Sequence, residues 1–168
     1  MDHSDDGEAL PYWLPCLINQ LRPKMIAIEC DIFNLESSLV AVEGQVHKIC
    51  DVYVTDEEER SRWFSLLQGI RRTTAAQRDY FDRLRDELSR DRRFWAVSWA
   101  IELTDRFGKI RATVFHMVRA MRISNLLLED LDLKVVDPDY IMKYIECQLS
   151  AWASPNSAHI ELGGTLHV

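Results

Sequence analysis

The chain has 168 residues, of which 47% are hydrophobic, and its formal net charge is −7 at pH 7. This length corresponds to about one domain, and the apolar share excludes an intrinsically disordered chain. Six Gly and five Pro are few turn residues for an all-β fold. The apolar runs are too short to span a membrane.

The first ten residues, MDHSDDGEAL, are acidic and polar, and they match neither a secretory signal nor a transit peptide. The four cysteines form no C-x-x-C pair, and in a chain without a leader we interpret them all as reduced core thiols. They are Cys16, Cys30, Cys50 and Cys147. We expect an intracellular protein, cytoplasmic or nuclear. Residues 1–8 are predicted to be disordered, 9–153 to form a helical domain, and 154–168 to form a flexible tail.

The hydrophobic pattern predicts a short N-terminal helix followed by a long helix. Residues 9–22 form the short helix, which contains Pro11 and Pro15, and Pro23 suits the first turn of the next helix. From about 23 to 52, apolar residues recur every three or four positions, as in a helix packed at a coiled-coil-like angle. The members of this stripe are Met25, Ile28, Ile32, Leu35, Leu39, Val42, Val46 and Ile49.

An adjacent stripe on the same helix carries Ile26, Cys30 and Phe33. One helix–helix seam does not need so wide an apolar surface, whereas a helix that touches two neighbours does. We therefore expect the adjacent stripe to be buried inside a bundle formed by this chain, with an added partner as the alternative.

A capping-box pattern at Thr55 and Glu58 opens a second helix, over about 56–90. Its apolar stripe begins at Trp63 but is polar in the middle, at Thr74 and Gln77. We expect this polar middle to pack less tightly against the core and to be exposed for recognition.

A third helix is predicted over about 91–123. It contains FWAVSWAI (94–101), which is apolar on nearly every side and is typical of a central helix. Ser124 and Asn125 either break this helix or begin a shorter one. Asp137 and Pro138 are an N-cap and a first helical residue, and they open a fourth helix over about 138–152. The sequence therefore predicts an all-α, single-domain bundle of four main helices plus the short N-terminal helix.

The sequence contains no recognisable catalytic or cofactor motif. It lacks the phosphate-binding glycine loops, the G-x-S-x-G elbow and H-E-x-x-H. No histidine has a Glu three residues before it, as a di-iron bundle requires. His47 and Cys50 have the spacing of two zinc ligands, but no local pair supplies two more. We expect a protein that is not an enzyme, with no catalytic residue, cofactor or metal site.

Charge is distributed unevenly along the chain. Residues 60–122 contain 15 Lys and Arg against 7 Asp and Glu, whereas the remainder contains 5 against 20. Because arginine suits bidentate phosphate contacts, one alternative is binding of nucleic acid or anionic lipid. The other interpretation is that these arginines pair with acidic residues of the same chain. The candidate binding residues are the arginines with the fewest acidic neighbours in the sequence. They are Arg71, Arg72, Arg92 and Arg93.

Both ends of the chain offer features for a protein partner. Trp13 stands beside Tyr12 among prolines, and it is a candidate anchor for a partner's groove. The C-terminal Leu-His-Val is either a frayed end or a tail for a domain that captures chain termini by strand addition.

Two segments resemble parts of the helix-bundle apoptosis regulators. RFGKIRATVF (106–115) is similar to the central-helix motif of that family, with Arg-Phe-Gly-Lys where the family has Asn-Trp-Gly-Arg. YIMKYIECQLSAW (140–152) looks like one of its amphipathic helices. The resemblance implies a groove that binds a partner's amphipathic helix, and it carries over no residue roles.

The main functional expectation is a non-enzymatic adaptor or assembly subunit. Such a protein binds another protein, either a heterologous partner or a second copy, through a helix face or a groove. Binding of nucleic acid or lipid through residues 60–122 and the apoptosis-regulator-like activity are the alternatives.

Overall fold

The computed structural model describes residues 12–89 and 97–154. It contains α1 (Trp13–Tyr53), α2 (Glu57–Leu88), α3 (Val97–Asp132) and α4 (Pro138–Ser150), and no strand occurs within these two ranges. The predicted all-α bundle is therefore confirmed. The predictions for residues 1–8 and for most of the tail concern segments outside the described residues. None of the described helices combines the length and apolarity needed to cross a membrane.

The four helices form two hairpins that lie side by side in the same orientation. α1 and α3 are parallel and pack along most of their length, with Lys48 bonded to Asp132 near their C-terminal ends. α2 and α4 are also parallel, and Arg62 contacts Glu146 at 2.7 Å between them. Both ion pairs join residues 84 positions apart. The second hairpin therefore follows the first in a constant register.

The stripe from Met25 to Ile49 packs inside the chain, since every member is buried except the half-buried Met25. The predicted short helix is not separate, because α1 continues without interruption from Trp13 through Pro23. An internal proline costs about 3 kcal/mol. Leu14 and Leu21 before it and Ile28 after it are fully buried at seven-residue intervals. Each such side chain contributes about 1.5–3 kcal/mol, so burial outweighs the local cost and carries the helix through Pro23.

α2 begins one residue later than its capping pattern suggests. Asp56, rather than Thr55, is the N-cap, and its carboxylate accepts a hydrogen bond from the Glu58 amide at 3.2 Å. The prediction that the polar middle of this helix is exposed was wrong, because Thr74 and Gln77 are both buried. The Thr74 hydroxyl donates to the Ile70 carbonyl oxygen at 2.9 Å. A hydroxyl satisfied by its own helix can enter the core without losing its hydrogen bond.

α3 packs against each of the other three helices, as α2 also does, and its contact with α1 is the most extensive one in the described structure. It does not break at Ser124 and Asn125 but continues to Asp132. The reason is that Leu128 and Leu131 extend the buried stripe beyond the fully buried Ser124. Side-chain burial in phase with the helix therefore overrides the weak local break signal.

α4 is capped as predicted, with the Asp137 carboxylate accepting from the Asp139 amide at 3.2 Å. Its C-terminal end packs against α2, and an added Cβ at Gly69 would lie 2.0 Å from the Ala153 carbonyl oxygen. Only a glycine lets the two backbones approach so closely. By contrast, a Cβ at Gly44 or Gly108 would meet no atom of the described chain within 4 Å.

Candidate interaction surface

An uncharged face of α1 points away from the bundle. We call it the outer stripe, and its residues follow one another at intervals of three and four. The members are Pro23, Ile26, Cys30, Phe33, Ser37, Val40, Gly44 and His47, all of them exposed. The prediction that Ile26, Cys30 and Phe33 pack inside the bundle was therefore wrong.

The outer stripe exposes large apolar side chains at seven-residue spacing. Ile26 is 58% exposed, Phe33 66% and Val40 69%. Residues seven apart lie on the same side of a helix, so these three side chains form one row. The stripe spans 24 steps, which is roughly 36 Å of helix. A solvated helix face normally carries charged residues throughout, which makes this long uncharged row the most distinctive surface in the described structure.

A row of ion pairs between α1 and α2 borders one edge of the outer stripe. We call it the ion-pair ladder. Each step of seven residues along α1 is matched by seven residues in the reverse direction along α2. Its pairs are Glu29–Arg85 at 3.5 Å, Glu36–Arg78 at 2.6 Å and Glu43–Arg71. The ladder follows the antiparallel register of α1 and α2, and its arginines neutralise the carboxylates beside the stripe.

The other edge of the outer stripe is polar but carries little charge. Ala27, Asn34 and Ala41 follow one another there at seven-residue spacing, and Lys48 lies beyond them. The Lys48 ammonium is bonded to Asp132 of α3 at 2.8 Å. Over most of its length, the outer stripe is therefore flanked by neutralised carboxylates on one side and by small, uncharged residues on the other.

Among the predicted partner-binding residues that the structure describes, Trp13 lies apart from Arg71 and Arg72. Arg71 belongs to the ion-pair ladder, where Glu43 binds it. Arg72 is exposed and forms no ion pair with the described part of the chain. Trp13 lies roughly 45 Å from Glu43 along α1, since 30 residues separate them. Arg92 and Arg93 are outside the described residues.

Ion pairs within the chain involve many of the basic residues between 60 and 122. Arg60 bonds to Asp51 at 3.3 Å and also donates to the Val54 carbonyl oxygen at 3.1 Å. Lys109 meets Asp105 at 3.1 Å. Together with the ion-pair ladder, these contacts agree with the interpretation that arginines and lysines of residues 60–122 pair with acidic residues of the same chain.

An open groove of about 750 Å³ lies at one end of the bundle, between the first turns of α1 and α3. Trp13 and Leu17 line one wall, and Ala100 and Ile101 line the other. Trp13 is half-buried and packs against the core, whereas its neighbour Tyr12 is almost fully exposed. The chain continues from both walls into segments outside the described residues, so the outer stripe is the better-defined surface.

The thiols differ from the expectation of four core cysteines. Only Cys50 is buried, whereas Cys16, Cys30 and Cys147 are exposed. Burial raises the pKa of the Cys50 thiol, and the nearby Arg60 guanidinium acts in the opposite direction. A buried protonated thiol is a poor nucleophile.

His47 and Cys50, which have the spacing of two zinc ligands, lie in different environments in the structure. The His47 ring packs against Phe64, with 4.8 Å between the ring centroids, and it is exposed while Cys50 is buried. Within residues 12–89 and 97–154, no three His, Cys, Asp or Glu side chains are placed to hold a metal ion.

The sequence pattern identified three of the eight residues of the outer stripe, but the interior environment predicted for them was wrong. The signal that could have corrected the assignment is its composition. The buried stripe of α1 is filled with Ile, Leu and Val, whereas the outer stripe alternates bulky residues with Cys, Ser and Gly. A core interface rarely leaves such gaps unfilled.

The two segments that resemble apoptosis regulators lie in α3 and in the region of α4. Comparison of the chain with protein-family models, with curated proteins and with solved structures gave no match.

Proposed function

We propose that this protein is a non-enzymatic protein–protein interaction module, an adaptor or assembly subunit, and that the outer stripe of α1 is its binding surface. The single observation that carries the proposal is the row of Ile26, Phe33 and Val40, each more than half exposed on a face without charge. A partner helix that covered this row would remove apolar surface from water, which is the main driving force for protein association.

The free energy that burial of this row would provide is large enough to support binding. Full burial of a side chain of this size contributes about 1.5–3 kcal/mol. The exposed fractions of Ile26, Phe33 and Val40 therefore offer roughly 3–6 kcal/mol in total, before the cost of association. Single exposed apolar residues are common on monomers, but a contiguous row marks an interaction site.

The ion-pair ladder supports a protein partner over a polyanion. Arg71, Arg78 and Arg85 are held by glutamates of α1, and a phosphate would have to compete with those carboxylates. The net charge of −7 also opposes approach of a polyanion at long range. Binding through the outer stripe should consequently depend little on salt.

Site-specific photocrosslinking in the cells that produce the protein tests the proposal. A photoreactive phenylalanine analogue replaces Phe33, and in a matched control it replaces Tyr140, an exposed aromatic residue of α4. We expect protein adducts from position 33 but not from position 140. The adducts should disappear with Val40→Glu and persist with Ala75→Glu, which places the same charge on the exposed surface of α2.

Two results would contradict the proposal. One is the absence of any adduct at position 33 in a protein that is expressed and folded. The other is equal labelling from positions 33 and 140, because it would mean that partners contact the outer stripe no more often than the surface of α4.

A further inference from the structure

We infer that the occupant of the outer stripe is the outer stripe of a second copy of this chain, with the two α1 helices antiparallel. This inference rests on the proposed function and names its partner. It is argued from the sizes of the stripe residues, from the charges at its edges and from the area that it offers.

The outer stripe alternates bulky and small residues with heptad regularity. Every position that follows a step of three is bulky, namely Ile26, Phe33, Val40 and His47. Every position that follows a step of four is small or compact, namely Pro23, Cys30, Ser37 and Gly44, with Pro23 opening the series. A surface with gaps at regular intervals fits a partner that has bulk at the same intervals.

The direction of the second helix determines which residues meet. In a parallel pair, each residue meets its own copy, so bulky layers such as Phe33 against Phe33 alternate with nearly empty layers such as Gly44 against Gly44. In an antiparallel pair, the two heptad positions face each other, so every layer contains one bulky and one small residue. Uniform layers pack without voids or overlap, which favours the antiparallel arrangement.

The register follows from pairing all eight residues of the outer stripe with one another, which only one position of the two-fold axis allows. With the two-fold axis at residue 35, Phe33 faces Ser37 of the second copy, Val40 faces Cys30, and Ile26 faces Gly44. Moving the two-fold axis by half a heptad toward the C-terminus would place Ile26 opposite the charged Asp51. The same surface patch then serves both chains, as a two-fold interface requires.

The edges of the outer stripe permit this pairing despite the net negative charge of each chain. Glu36 of one copy would approach Glu36 of the other near the axis, but Arg78 binds each carboxylate at 2.6 Å. On the opposite edge, Asn34 would approach Asn34 of the second copy, and two amides can hydrogen-bond to each other. No unpaired like charges are brought together near the axis.

The available area indicates a weak dimer. A contact about 36 Å long and about 10 Å wide covers roughly 400 Å² of each chain, or about 800 Å² in total. Specific interfaces usually bury at least about 1,000 Å², and smaller ones are transient. The solution mass should therefore rise with protein concentration rather than being dimeric throughout.

The last described residues lie on a different side of the bundle from the outer stripe, which belongs to α1. Ala153 packs on Gly69, on the side where α4 contacts α2 and α3.

Disulfide trapping in the full-length protein tests both orientation and register. The background variant carries Cys16→Ser and Cys147→Ser and keeps the exposed Cys30 and the buried Cys50. Val40→Cys is then added, which places a thiol opposite Cys30 of the second copy. A disulfide forms only when the two Cα atoms are about 4.4–6.8 Å apart. Under mild oxidation we expect a covalent dimer from the Val40→Cys protein and none from the background variant.

Lys143→Cys in the same background is the matched control, because residue 143 is exposed on α4, which packs chiefly on α3 and α2. It should give no covalent dimer. Circular dichroism melting establishes that each variant is folded. Light scattering after size-exclusion chromatography, over a range of concentrations, measures the solution mass of the unmodified chain.

Each other outcome overturns the inference. A covalent dimer of the background variant would mean that Cys30 faces Cys30, which the antiparallel pair with its axis at residue 35 does not allow. A monomer at all concentrations, with no trapping through Val40→Cys, excludes self-association. If Phe33 nonetheless captures a different protein in cells, the proposed function stands with a heterologous partner. If Phe33 captures nothing, both proposals fail.

Discussion

Gly69 offers the sharpest test of how the second hairpin closes on the first. A methyl group at this position would lie 2.0 Å from the Ala153 carbonyl oxygen, so Gly69→Ala must displace the end of α4 or bend α2. Overpacking of this kind costs about 1–3 kcal/mol. The same substitution gains about 1 kcal/mol from helix propensity. Gly108→Ala is the matched control, since it brings the propensity gain into open space within the described structure.

We therefore expect Gly69→Ala to be less stable than Gly108→Ala by about 1–3 kcal/mol. For a chain of this size, that difference separates the two melting temperatures by roughly 3–9 °C. Urea unfolding followed by circular dichroism gives the free energies of unfolding, and thermal melts give the temperatures. If both variants were stabilised equally, the close approach of Gly69 and Ala153 would be refuted.

The remaining predictions concern the core, the ion-pair ladder and the buried thiol. Phe81→Ala removes a fully buried ring that meets Phe107 edge-on with 6.3 Å between centroids, and urea unfolding should show a loss of about 3–5 kcal/mol. Arg78→Ala should cost at most about 1 kcal/mol, and less in about 1 M salt, because its pair with Glu36 is partly exposed. A larger, salt-independent loss would mean that the ladder holds the helices together. Because burial raises the pKa of Cys50 in the folded chain, the unfolded thiol ionises first, so stability should fall as pH rises above the ordinary thiol pKa. Cys50→Ala should remove that part of the pH dependence, and an unchanged profile would contradict it.

The outer stripe shows why a helical pattern alone does not identify a partner. The sequence predicts that Ile26 and Phe33 lie on a stripe adjacent to the core stripe of α1, and the structure leaves both side chains exposed. Whether a neighbour inside the chain covers that face depends on how many helices surround α1. In the described structure α1 packs chiefly on α3 and α2, which cover the core stripe and leave the opposite face open.

The sequence by itself determined the helical class, the four main helices and the stripe that α1 buries. Periodic burial of apolar side chains decides these features, and periodicity is visible in the sequence. Only the tertiary structure decided that α1 passes through Pro23, that Thr74 and Gln77 enter the core, and that Arg71 binds Glu43. Each of these outcomes depends on residues far apart in the chain. Local propensities of a few kcal/mol at most are then outweighed by the burial that the neighbouring helices provide.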